Sequence, residues 1–331
     1  MKRTSFLLIV IMSLALCACT RDTAPSQAQS SFICAAGQDY AVADGRLITA
    51  DRGSVKCFDL SGNVELEHEL EQMTAALSAN ENSAAAYCVG GKTVVLSSGE
   101  VIRTEYAITS ASVSKGAMTA VCTGCPGYKG LVTVYSKDAQ PVYRWYSANA
   151  DVTAAQVSPD GDHLAVLTSD EVHIFSLDSV NENGLFKAPE TMRAVCWADD
   201  EVCVIGSQEV YFCDTDGDMT GEHRFDGMTT GIYSMLDDKL IIQLSDAEGA
   251  ETVYIIDGDD IDGSASAAGQ ILGIDCGDDE ILVLTQDTVS IYDDKGKLLN
   301  SMKVPGSEAA FLLDDGRMLT VGGGTAQIFK L

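Results

Sequence analysis

Residues 157–178 read VSPDGDHLAVLTSDEVHIFSLD. An apolar residue leads into a tight turn, a short apolar strand follows, and a second turn precedes a strand that ends in Asp. This order returns along the chain, and a recurring unit restricts the fold more than any single motif does. The first turn has counterparts in ADGRL (43–47), ADDEV (198–202), LDDKL (236–240), GDDEI (277–281) and DDGRM (314–318). The second has counterparts in FDLSGN (58–63), YSKDAQ (135–140), CDTDGD (213–218), IIDGDD (255–260) and YDDKGK (292–297). Asp and Gly suit such hairpins because they tolerate positive φ or hydrogen-bond the local backbone. The segments between, such as EVYFCD (209–214) and TVSIYDD (288–294), are short and rich in Val, Ile, Tyr and Phe. That combination reads as β-strand, and no segment after the N-terminal leader reads as an amphipathic helix.

Units start near residues 39, 72, 110, 151, 191, 229, 270 and 307, at intervals of 33 to 41 residues. Each full unit has room for four antiparallel strands. The expectation is an all-β fold, a β-propeller of eight four-stranded blades. Seven blades is the alternative, should the weakest unit (72–106) be misread, and a pair of β-sandwiches is the structural runner-up. The last unit offers only three strands, near 308–313, 317–321 and 325–331. SFICAA (31–36) is a spare strand before the first unit, placed to complete the last blade as its outer strand and to cover its edge.

The opening stretch resembles blades of bacterial WD40-like propellers, in which an S-P-D-G turn joins the two inner strands. GSVKCFDLSGNVELEHEL (53–70) and LVTVYSKDAQPVYRWY (131–146) resemble blades of quinoprotein-like propellers. The regular Trp-Asp ending of the former is missing, and the Trp-ended motif of the latter survives only at Trp145. Over most of the chain the layout is most similar to a bacterial propeller family known as domain of unknown function 5711. This resemblance implies a fold and an envelope-anchored arrangement, and no activity.

The chain opens MKRTSFLLIVIMSLALCAC. Lys2 and Arg3 form a basic start, and Phe6 to Leu16 form an apolar stretch shorter than the ~20 residues of a bilayer-spanning helix. LCAC resembles the bacterial lipoprotein box, with Cys19 as the lipidated residue. The expected organisation is a signal peptide over 1–18, a lipidated Cys19 with a small polar tether over 19–30, and a propeller domain over 31–331. The expected location is outside the cytoplasm, held to the bacterial membrane through the N-terminal lipid. Two or more acyl chains anchor stably, at about 0.8 kcal/mol per buried CH₂.

The chain carries 21 Lys+Arg against 49 Asp+Glu, a formal net charge of −28. Such a surface repels nucleic acid, whose backbone is neutralised by Lys and Arg, so no nucleic-acid partner is expected. Cys122 and Cys125 in CTGCPGYKG are candidates for a local disulfide or for free thiols in a loop. Redox or zinc use of this CxxC lacks a βαβ context and a second ligand pair. The folded part holds nine Cys, an odd number that cannot all pair within one chain; many free thiols in an exported protein point to a reducing habitat. Asp214, Asp216 and Asp218 in DTDGDMTGE alternate as calcium ligands do, but Met219 and Phe225 stand where an EF-hand needs Gly and an acid. Turn chemistry is the preferred reading there. The four histidines, His68, His163, His173 and His223, read as exposed strand or turn residues.

No catalytic set, cofactor or metal site is assigned. Propellers host enzymes, ligand binders and scaffolds alike. The first expectation is a non-enzymatic protein-binding or scaffold module with an envelope protein as partner, itself monomeric because ring closure covers its sheet edges. The alternatives are an enzyme or carbohydrate-type binder using the central channel, and an accessory lipoprotein of outer-membrane assembly, one of which is itself an eight-bladed propeller.

Overall fold

In a computed structural model of the chain, residues 27–37, 39–169, 171–188, 191–277 and 279–331 are described. The leader, Cys19 and most of the tether lie outside them. The described residues form 32 strands in eight four-stranded antiparallel sheets. Seven sheets are sequential meanders: blades 1 to 7 over 39–69, 75–103, 108–147, 152–186, 192–224, 228–266 and 271–303. Blade 8 takes three strands from 309–330, and Ser30–Ile33 pairs antiparallel with Thr325–Lys330 as its outer strand. The count is therefore eight, and the N-terminal strand closes the ring. Pairing starts slightly earlier than the sequence suggested, since Gln29 N donates to the Ile328 carbonyl at 2.8 Å.

The turns explain why the chain meanders. Asp44, Asp199, Asp237 and Asp279 adopt φ between 51° and 64° in the turns joining inner to second strands. In the turn from third to outer strand of blade 5, Asp214 Oδ1 accepts the N–H groups of Asp216 and Asp218 at 3.0 and 2.9 Å. Asp59 and Asp293 do the same for the residues two and four beyond them. Gly217, with φ of 85°, takes the position where a side chain would be strained. The SPDG segment likewise joins inner to second strand, with Ser158 Oγ accepting His163 N–H at 2.9 Å.

Each blade buries both faces of its middle strands, which is why these read as apolar runs. In Lys239–Asp246, Leu240 and Ile242 pack toward blade 5 and Ile241 toward blade 7. The result is eight separate apolar layers, one per junction between neighbouring blades, in place of one central core. Burying a Leu such as Leu240, fully shielded from solvent, is worth roughly 2–3 kcal/mol. The closing junction has its layer too: between blades 8 and 1 it includes Cys34, Phe58 and Ile328, and Phe32 of the closing strand packs against it.

Candidate functional site

A propeller offers three places for function: the central channel, the two faces, and the rim. The channel is lined by the inner strands, and these carry few charged groups. Asp39 and Asp275 are their carboxylates and Arg193 their cation. Each is engaged with the next blade. Asp39 Oδ2 accepts Leu77 N–H at 2.8 Å, Asp275 Oδ2 accepts Leu312 N–H at 2.7 Å, and Arg193 donates to the Thr230 carbonyl at 2.6 Å. Neutral groups serve the other junctions. Ser78 Oγ accepts Val113 N–H at 3.0 Å, Ser112 Oγ donates to Ala155 O at 2.6 Å, and Trp197 Nε1 donates to Gln156 O at 2.9 Å. Ser234 hydrogen-bonds Cys276, and Tyr40 donates to Glu308 at 3.1 Å across the closing junction. Together these bonds make a hoop of eight side-chain ties. Desolvation raises the Asp275 carboxyl to about 6, against the opposing effect of its two backbone donors, and desolvation also raises Asp39.

The strand direction assigns the faces. Turns between inner and second strands, and between third and outer strands, gather on one face, here called the turn face. It carries Asp44, Asp59, Asp199, Asp214, Asp237 and Asp293. Ser30 pairs with Ile328 near the end of the last strand, so the chain enters the ring from this acidic side. The opposite face, the loop face, carries the links between blades and the turns between second and third strands. Its longest second-to-third connection is residues 124–129 in blade 3, between Thr119–Thr123 and Gly130–Tyr135. The CxxC lies here.

Cys122 and Cys125, candidates for a local disulfide or for free thiols in a loop, are both unpaired thiols in this structure. Cys122 belongs to a strand, not a loop, and its side chain is packed in the layer between blades 3 and 4. Burial pushes its thiol up to about 12, which suppresses thiolate chemistry. Cys125 sits in the connection beyond. All nine described cysteines are free, and seven are buried. Within the Asp214 triplet, Asp214 serves the turn: its Oδ1 accepts the backbone N–H groups of Asp216 and Asp218. The histidines are less exposed than the sequence suggested. His223 is buried, with Nε2 at 2.8 Å from the Gly258 carbonyl, and His173 Nδ1 meets Glu182 at 2.6 Å beside the Trp145 ring. Both face a neighbouring strand or blade, where the packing of adjacent sheets encloses them.

The feature that sequence reasoning passed over is aromatic. Tyr128, 49% exposed in the 124–129 connection, lies 4.9 Å from the Tyr146 ring of the outer strand, itself 42% exposed. Tyr106, in the link from blade 2 to blade 3, hydrogen-bonds Glu105, which raises its hydroxyl, and it also feels Tyr146 and Cys125. Gly124 N donates to Ala107 O at 3.2 Å, tying the two segments together. The sequence signal was present as YKG, two residues past the CxxC, but the contact joins Tyr128 to Tyr146, in a separate segment.

No family model matches the chain, and no curated protein matches it. Among solved structures, it is similar to BamB from Moraxella catarrhalis, with a TM-score of 0.58 and 12% identity over 92% of this chain and all of that one. It is also similar to the Cps50 (Swd1) β-propeller domain of Myceliophteria thermophila, with a TM-score of 0.55 and 13% identity over 93% of this chain and all of that one. Likeness at these identities concerns the fold: the chain is an eight-bladed β-propeller.

Proposed function

We propose that this chain is a lipid-anchored, extracytoplasmic β-propeller that acts as a non-enzymatic protein-binding or scaffold module of the cell envelope, related to the family known as domain of unknown function 5711. The observation that carries the reading is the hoop. Every charged group of the inner strands is tied to a neighbouring blade, which leaves the loops and rim as the surface free to meet a partner. The leader with Cys19 supports the location, and the BamB-like ring is compatible with a scaffold. The membrane is met through the N-terminal lipid, and the ring itself stays monomeric. Crosslinking of the tagged full-length protein in its own cells, against a Cys19→Ala control, tests this. A specific envelope protein enriched only with the anchored form is the expected result. Recovery of none from either form would sink the reading and move attention to ligand screening of the channel. Should the captured protein belong to the outer-membrane assembly machinery, the accessory-lipoprotein reading becomes the specific one.

A further inference from the structure

Charge is distributed unevenly around the ring. Residues 84–147, which span the greater part of blade 2 and all of blade 3, hold six Lys+Arg against three Asp+Glu. The other 267 residues hold 15 against 46. A net positive sector in so acidic a chain stands out. All six of its cations are exposed; Lys92 and Lys129 lie in the second-to-third connections of blades 2 and 3, and Arg103 and Arg144 on the outer strands of those blades. Arg144 is two residues from Tyr146 on the same side of the outer strand Pro141–Ser147, Lys129 follows Tyr128, and Lys92 Nζ donates to Glu105 O at 2.7 Å. Among the described residues, the ion pairs of this acidic chain fall on other cations and on none of these four.

The sector is also open. The outer strand of blade 2, Val101–Arg103, has three residues, while the facing outer strand of blade 3 has seven. On that strand Tyr143 and Trp145 pack toward blade 4. Val142, Arg144 and Tyr146 therefore point toward blade 2, where the short strand leaves them uncovered; Val142 is 55% exposed. Tyrosine and arginine at the centre of a shaped surface are the side chains that most often carry binding energy between proteins.

We propose that the sector of blades 2 and 3, with Tyr128 and Tyr146 flanked by Lys92, Arg103, Lys129 and Arg144, docks an acidic, aromatic- or aliphatic-anchored segment of a partner protein. This rests on the protein-binding reading above and names its working surface. Charge complementarity selects the occupant: four cations that make no ion pair among the described residues recruit carboxylates, and the tyrosines with Val142 receive an apolar anchor. A lipid surface fits less well, because Tyr128 lies on the loop face while the chain leading from the tether enters at the turn face. A second copy fits less well too, because its acidic turns already use Asp59, Asp214 and Asp293 as acceptors for their own backbone.

The test places benzoylphenylalanine at the exposed Ala107 of the full-length protein in its own cells, with Asp216 on the turn face as the comparison position. Photo-adducts are mapped by mass spectrometry. The expected result is an adduct from position 107 to a segment of another protein in which Asp and Glu outnumber Lys and Arg. Its yield should fall roughly tenfold in Lys129→Glu/Arg144→Glu and in Tyr128→Ala, with circular dichroism unchanged. An adduct to lipid, to a second copy or to a non-acidic segment would overturn the inference, as would a yield indifferent to charge reversal. Adducts from position 216 with none from 107 would overturn the inference and keep the scaffold reading. Adducts from neither position would count against both.

Discussion

Asp275 makes the tie between blades 7 and 8 with a carboxylate that burial disfavours in its charged form. Its pKa is raised from 3.8 to about 6. Between those values the folded chain holds a proton that the unfolded chain has lost. Stability from this group is therefore full below pH 3.8, falls as pH rises to about 6, and is flat above. The whole loss is about 3 kcal/mol at about 1.4 kcal/mol per unit, an upper figure because part of the residue still faces the channel. The sequence pI of about 4.2 makes work near pH 4 impractical. Between about pH 5 and pH 7.5, roughly 1.4 kcal/mol of the loss remains to be seen. Asp275→Asn removes the titration and keeps an oxygen for the Leu312 N–H. Its amide places one donor where Cys276 N–H now finds an acceptor, so the variant carries a constant offset at every pH. The informative quantity is the slope. Urea unfolding of both proteins at the two pH values should show the wild type losing roughly 1.4 kcal/mol more than Asp275→Asn on going to the higher pH. Other titrating groups cancel in this difference. Parallel pH profiles, or a variant that loses more than the wild type, would refute the reasoning.

Other expectations follow from the same geometry. Gly263 in the outer strand of blade 6 lies under the turn of blade 7, where an added Cβ would come 2.3 Å from the Lys295 carbonyl oxygen. Gly263→Ala should cost about 2–4 kcal/mol in urea unfolding, while Gly273→Ala, whose Cβ meets nothing within 4 Å, should be nearly neutral. Deleting the closing strand exposes the edge of Thr325–Lys330, and size-exclusion chromatography with light scattering should show association absent from the intact chain. In the folded protein iodoacetamide should modify Cys125 long before Cys122, Cys203 or Cys213, whose burial raises their pKa; mass spectrometry after timed quenching reads the order. Equal rates at all four would contradict the packing described.

Much of this architecture is written locally. The period of the Asp-containing turns and the apolar runs between them determined the strands, the eight blades and the closing strand, because hairpin chemistry and burial of alternate residues act over a few positions. Asp59, Asp214 and Asp293 were legible as turn formers because their partners lie two and four residues away. The CxxC shows where this kind of reading stops. Its spacing is a property of sequence, whereas the burial of Cys122 between two blades depends on which way its strand faces. Only the tertiary structure decided that Asp39 meets Leu77, that Asp275 meets Leu312, and that Tyr128 meets Tyr146 within an uncovered notch. The first two pairs are set by the rotation between successive blades, which brings together residues tens of positions apart, and the third by the fold of blade 3 on itself, which sets its second-to-third connection against its outer strand. A repeat pattern encodes the blade, and closure of eight blades around one axis creates the surfaces that no single blade contains.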